Sequence, residues 1–239
     1  MSEMAIIMAA GLGTRMLPLT KKKPKPLISV WGKPMVETVI EGLKKRGVGK
    51  IFIVVGHLGE QFNYLAKKFD SITIVENTDY QTINNISSIY AVSEELINAQ
   101  SDCFICEADL YIRDPSLFEC ELDHSCYFGK MVKGYSEDWV FDIDNKGKIT
   151  RVGKGGIDCF NMVGISWFTM NDAQLLGRLI HDEYGRKGYE GKFWDDVVND
   201  NLNVLDLNVH EVLPGQMFEI DTISELAEID KSYLEVARN

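Results

Sequence analysis

Residues 5–27 read AIIMAAGLGTRMLPLTKKKPKPL, and this stretch decides the fold. The apolar run Ala5-Ile6-Ile7-Met8-Ala9-Ala10 has the length and flanks of a buried strand. It ends in Gly11-Leu12-Gly13-Thr14-Arg15, where two glycines let the backbone turn tightly and come close to a ligand. Amide N–H groups in such a turn can face an anion. Arg15, Lys21, Lys22, Lys23 and Lys25 follow at once. In a chain of net charge −11, a local basic cluster needs a reason, and phosphate oxygens supply one.

Two familiar phosphate motifs are absent. A dinucleotide fingerprint needs a third glycine at position 16, which is Met16, and a helix straight after the turn, where Pro18, Pro24 and Pro26 stand. A Walker loop needs four residues between its glycines and a following Gly-Lys-Ser/Thr. What remains is Gly-x-Gly-Thr-Arg, then Thr20, then Lys25-Pro26-Leu27.

The chain has 239 residues, 45% hydrophobic and 26% charged, enough for one large α/β domain. No apolar run approaches membrane-spanning length, and Met1-Ser2-Glu3 lacks the basic start of a signal peptide. A cytoplasmic protein without membrane insertion is the expectation. Five cysteines argue against a secreted disulfide framework. Cys103 and Cys106, three apart in an apolar run, read as core thiols on opposite faces of a strand. The acidic balance disfavours nucleic acid as a partner. His57, His124, His181 and His210 show no metal spacing.

In chain order, strands are expected at 28–30, 51–55, 71–75 and 103–107, and helices at 35–46, 58–69 and 86–97 with Asn85 as N-cap. Such alternation implies a parallel sheet flanked by helices, with right-handed crossovers. Residues 77–85 read as a polar loop. From residue 125 the texture changes to short strand-like runs at 125–132, 139–143, 149–152 and 162–168, with a turn at Asp144-Asn145-Lys146-Gly147. This half reads as mixed, forming a small β-rich flap on the substrate side. Helices are expected at 172–184 and 193–201, strands at 205–212 and 217–220, and a last helix near Asp221 with Thr222 and Glu225 at capping-box spacing.

Asp109 and Asp221 each follow a buried strand, where ligands of doubly wound sheets bind. Two carboxylates beside a phosphate loop suit Mg²⁺, which takes few carboxylates together with waters and phosphate oxygens. A turn residue at Asp109 and a helix cap at Asp221 are the plainer alternatives.

The chain resembles the CTP:phosphocholine cytidylyltransferases, a branch of the nucleotidyltransferases or pyrophosphorylases. The matching stretches are Gly11-Leu12-Gly13-Thr14-Arg15, Pro24-Lys25-Pro26-Leu27, Val54-Val55-Gly56, Asn84-Asn85 with Ser88-Ile89-Tyr90, Ala108-Asp109, Glu137-Asp138-Trp139, Phe193-Trp194-Asp195 and Glu219-Ile220-Asp221. The resemblance implies a Rossmann-like nucleotidyltransferase fold, with a mixed, mostly parallel sheet flanked by helices. It implies one domain over 1–239, the nucleotide on 1–124 and the acceptor on 125–239. Arg15 and Lys25 would then be catalytic, holding phosphates, with Mg²⁺ on Asp109 and Asp221. The nucleotide would lie against Ala9, Ala10, Gly11, Gly13, Thr14, Gly56, Asn84 and Ser88. The partners implied are CTP and a small phosphorylated amino-alcohol; no oligomeric state follows. The Glu-Lys-Pro triplet of sugar pyrophosphorylases is missing, Glu107 stands where the resemblance implies that acidic and neutral residues vary, and Gly153-Lys154-Gly155-Gly156 has no assigned counterpart.

Phosphocholine is the expected acceptor. Behind it stand 2-aminoethylphosphonate or another phospho-amine, then a sugar 1-phosphate, then a non-catalytic nucleotide sensor. A quaternary ammonium donates no N–H bond and is held by aromatic faces helped by carboxylates. Trp139, Tyr189, Phe193 and Trp194, with Asp195 and Glu219, are the candidates. Plain packing is the alternative for each aromatic.

Overall fold

The computed structural model describes residues 2–237. Its strands are β1 (Met4–Ala9), β2 (Ser29–Val30), β3 (Lys33–Pro34), β4 (Lys50–Val55), β5 (Ile72–Glu76), β6 (Cys103–Glu107), β7 (Leu110–Ile112), β8 (Cys126–Ile143), β9 (Ile149–Phe168), β10 (Asn208–Glu211) and β11 (Met217–Glu219). Its α-helices are α1 (Met35–Arg46), α2 (Leu65–Lys68), α3 (Ile86–Tyr90), α4 (Ser93–Ile97), α5 (Met170–Glu183), α6 (Trp194–Asp200), α7 (Ile223–Ile229) and α8 (Leu234–Ala237).

Among the described residues the main sheet has seven strands in the order β10-β8-β9-β6-β1-β4-β5. β1 pairs in parallel with β4 and β6, and β4 with β5. β9 runs antiparallel to both β6 and β8, while β10 is parallel to β8. The sheet is thus mixed and mostly parallel, as expected.

Strands covered on both faces must be apolar on both. Along β1, Ala5, Ile7 and Ala9 pack in one core with Val36, Val39, Ile40 and Leu43 of α1. Met4 and Ile6 pack in the other with Ile89, Leu96, Leu176 and Val198 from the helices across the sheet. Cys106 lies in the first core and Cys103 in the second, both buried free thiols, as their spacing on a strand requires. A third cluster joins Met16, Ile28, Val30 and Met35 to Ile220 and Leu226. It draws the basic loop against the end of β11 and α7, and so brings two distant segments to one place.

Four details differ from the sequence reading. The helix expected over 58–69 is a 3-10 turn at Gly59–Phe62 followed by α2. Gly59 and Asn63 are weak helix formers, and Leu58 enters with a positive φ of 51°. The helix expected over 86–97 breaks at Val92 into α3 and α4. The Ser87 hydroxyl competes for helix carbonyls, donating to Asn84 O at 2.8 Å. Asn85 does not cap α3; its Oδ1 accepts the Trp194 N–H at 3.0 Å and ties α3 to α6. The short runs of the second half fuse into one long hairpin, β8 and β9, which pairs through repeated register shifts. The turn at its tip falls where expected, with Asp144 Oδ1 accepting the N–H groups of Lys146 and Lys148.

α1 packs closely on residues 115–118, and a Cβ at Gly42 would stand 2.5 Å from the Phe118 ring. Alanine gains about 1 kcal/mol over glycine in helix propensity. Overpacking a core costs about 1–3 kcal/mol. Gly42→Ala should therefore lose up to about 2 kcal/mol in urea denaturation; a gain in stability would mean that Phe118 moves freely.

Candidate active site

The loop after β1 is built around Lys25. Gly13 has φ +62°, and a Cβ there would meet Thr20 Cγ2 at 2.9 Å and Lys25 Cβ at 3.0 Å. The Thr20 hydroxyl donates to Gly13 O at 2.9 Å. This contact accounts for the spacing of glycine, threonine and lysine: the first two brace the third. Pro24 and Pro26 flank Lys25 and stiffen its backbone.

Lys25 is only 7% exposed. Its Nζ donates to Asp109 and to Asp221 Oδ1, each at 2.6 Å. Burial works against the ammonium, but the two carboxylates outweigh it and hold its pKa above the ordinary lysine value. Arg15 grips Asp221 bidentately at 2.9 and 2.7 Å. Asp221 is not the cap of α7. Thr222 fills that place, its Oγ1 accepting the Glu225 N–H while Glu225 accepts the Thr222 N–H. The Asp221 side chain is thereby free to face the cations. Asp109 Oδ1 is buried with no partner among the described residues.

These residues line a cleft of about 1000 Å³ at the carboxyl ends of β1 and β6. Ala9, Ala10, Gly11, Gly13, Thr14 and Ser88 share that wall. The cleft is also lined by Glu107, Asp138, Trp139, Phe193 and Glu219, with Lys130 and Lys154 from the hairpin. Glu107 ends β6 against Gly164 of β9, whose absent Cβ leaves it room. Burial, then Asp109, Glu219 and Asp195, push its carboxyl well above the usual range. Glu219 meets water inside the cleft, yet desolvation by the walls and then Asp109 and Asp221 push its carboxyl up to about 8. Trp139 meets Phe193 edge to face at 5.2 Å. Asn161 donates to Asp138 at 2.9 Å, and its own Oδ1 has no partner among the described residues.

Five expected site residues stand outside the cleft lining. Trp194 is buried, stacked on Tyr127 at 5.7 Å, because α6 turns its first residue into the core. Asp195 is buried behind the wall, where Tyr127 Oη donates to it at 3.0 Å and burial pushes its carboxyl up to about 7. Tyr189 packs on Tyr184 at 4.8 Å, away from the cleft. Asn84 spends its side chain on Gly191 O and the Asn85 N–H, and Asn85 takes the cleft position instead. Gly56 stands behind the wall, where a side chain would strike the Tyr80 ring and Ala10 O. Sequence reasoning passed over Glu107, although an acid ending a buried strand was a usable signal. It also passed over Lys130, Lys154 and Asn161, which only the hairpin's register brings to the cleft.

No group of three or more His, Cys, Asp and Glu among the described residues is placed to hold a metal alone. No helix among them is long and apolar enough to cross a membrane.

Comparison with known proteins agrees with this geometry. The Nucleotidyl transferase family model matches residues 4–124. The chain is 53% identical over 235 residues to the 2-aminoethylphosphonate cytidylyltransferase of Lancefieldella rimae, covering 98% of this chain and 95% of that one. It is 33% identical to the choline-phosphate cytidylyltransferase of Streptococcus pneumoniae, covering 95% and 96%. The solved CTP:phosphocholine cytidylyltransferase of Streptococcus pneumoniae superposes with a TM-score of 0.87 at 32% identity, over 97% of this chain and 99% of that one. The sheet order, the braced basic loop and these likenesses together place the chain in the nucleotidyltransferase family, as an enzyme of its cytidylyltransferase branch.

Proposed function

We propose that the chain transfers the cytidylyl group of CTP to 2-aminoethylphosphonate, releasing pyrophosphate. The observation that carries the acceptor is the cleft's supply of hydrogen-bond acceptors: Glu107, Asp138, Glu219 and the unpartnered Asn161 Oδ1. A primary ammonium donates hydrogen bonds and can satisfy such oxygens; a trimethylammonium cannot. The full-length likeness to a relative of that name supports the same reading. Phosphocholine is the second reading, favoured by the Trp139–Phe193 aromatic pair and by the choline-phosphate relative.

The reaction asks mainly for charge. An oxygen of the acceptor's phosphonate attacks the α-phosphorus of CTP, the bond to the bridging oxygen breaks, and pyrophosphate leaves with that electron pair. The attacking oxygen is already ionised, so no general base is needed. Positioning and electrostatic stabilisation carry the rate. Lys25 and Arg15 supply fixed positive charge for the phosphates. Asp109 and Asp221 fit Mg²⁺, because two carboxylates with a spare buried oxygen on Asp109 leave the remaining positions to water and phosphate. When bound, Mg²⁺ would neutralise charge on the triphosphate.

Pyrophosphate release, measured with CTP and each acceptor, tests the assignment. The kcat/KM for 2-aminoethylphosphonate should exceed that for phosphocholine by about tenfold or more, the worth of one satisfied charged hydrogen bond. A preference for phosphocholine would return the acceptor to the second reading.

Lys25→Ala should lower kcat by roughly 10²–10³-fold, the usual effect of removing one preorganised donor. Asp221→Asn should also lower turnover; the cap of α7 survives in Thr222, while the buried Lys25 ammonium loses one of its two charged partners and stability falls with it. A fully active Asp221→Asn enzyme at limiting Mg²⁺ would contradict the metal role.

Glu219 titrates near 8, so its ionised form accumulates above that pH. An ammonium acceptor is attracted to the ionised form. The KM for 2-aminoethylphosphonate should fall as pH rises from about 7 to about 9, across that pKa. In Glu219→Gln this fall should vanish; its persistence would assign the titration to another group.

A further inference from the structure

Lys154 lies in the Gly153-Lys154-Gly155-Gly156 stretch that the reaction does not use. It is the cross-strand partner of Trp139 in the long hairpin. Its Nζ stands 5.8 Å from the centre of the Phe193 ring, within cation–π reach. Phe193 in turn meets the Trp139 ring at 5.2 Å and 64°. The Lys154 ammonium makes no ion pair among the described residues, so the ring is its one described partner. The backbone beneath it is fixed. Arg151 donates to Lys154 O at 3.4 Å and to Gly155 O at 2.9 Å, and is itself paired with Asp142 at 2.6 Å.

We infer that Lys154 is a specificity residue: its ammonium stands over the Phe193 ring of the Trp139–Phe193 pair, and so disfavours a quaternary ammonium on that face. The inference deepens the proposed acceptor class and rests on the reading of that cleft as the acceptor's. A trimethylammonium group has only ring faces to bind, and here it must displace or approach a like charge. A primary ammonium is satisfied by the Asp138 carboxylate, by Glu219 once ionised and by the oxygens of Glu107 and Asn161, and needs no ring face. The chain thus keeps an aromatic pair suited to choline while setting its own cation over one of the two rings.

The test compares Lys154→Met, which keeps the length and removes the charge, with Lys154→Arg, which keeps the charge. Steady-state KM is measured for phosphocholine and 2-aminoethylphosphonate at saturating CTP. In Lys154→Met the phosphocholine KM should fall about 2- to 5-fold, the size of an exposed cation–π contact, while the 2-aminoethylphosphonate KM holds. Lys154→Arg should keep the wild-type ratio. An unchanged ratio in Lys154→Met overturns the inference. A parallel rise of both KM values also overturns it, and would put Lys154 on the phosphoryl end that both acceptors share. A wild-type preference for phosphocholine would sink the proposed function alone; the change of ratio in Lys154→Met would still decide the role of Lys154.

Discussion

One ammonium holds the cleft together. Lys25 is buried, and it is stable as a cation only because Asp109 and Asp221 both lie at 2.6 Å. Removing either partner would leave a buried charge short of compensation, which proteins do not tolerate cheaply. The fold is arranged around that need. β6 ends where Asp109 can reach, and the cluster of Met16, Ile28, Ile220 and Leu226 presses the segment bearing Asp221 against the basic loop. Arg15 then balances the second carboxylate. Two cations and two anions, from three places in the sequence, neutralise one another.

In the proposed reading this neutral knot is also the working part. A triphosphate meets Lys25 and Arg15 only where two carboxylates compete for them. A divalent cation on those carboxylates would relieve the competition, leaving both basic side chains for phosphate. Carboxylates that repel a bare nucleotide and welcome its metal complex give a physical reason for a metal requirement.

Much of this was legible in the sequence, and for local reasons. Gly13, Thr20 and Lys25 lie within one loop, so their spacing carries their contact. Asp109 and Asp221 could be placed because each ends a strand run. What failed depended on side-chain direction or on long-range register. Trp194 and Phe193 are neighbours in sequence, yet the start of α6 sends Phe193 to the cleft and Trp194 into the core. Tyr189 went instead to a tyrosine cluster with Tyr184 and Tyr90. Lys154 and Asn161 reach the cleft through a hairpin with several register shifts, which no local pattern encodes. The breaks at Leu58 and Val92 interrupt an otherwise helical periodicity, the first beside the weak helix formers Gly59 and Asn63.

The most direct test of the central claim is calorimetric titration of CTP into the wild-type protein with Mg²⁺ and with chelator. If Asp109 and Asp221 hold Lys25 and Arg15 until a cation takes their place, CTP should bind about tenfold or more weakly without Mg²⁺, a difference of about 1.4 kcal/mol or more. Equal affinity in the two conditions would contradict the account, because the triphosphate would then reach the basic side chains unaided.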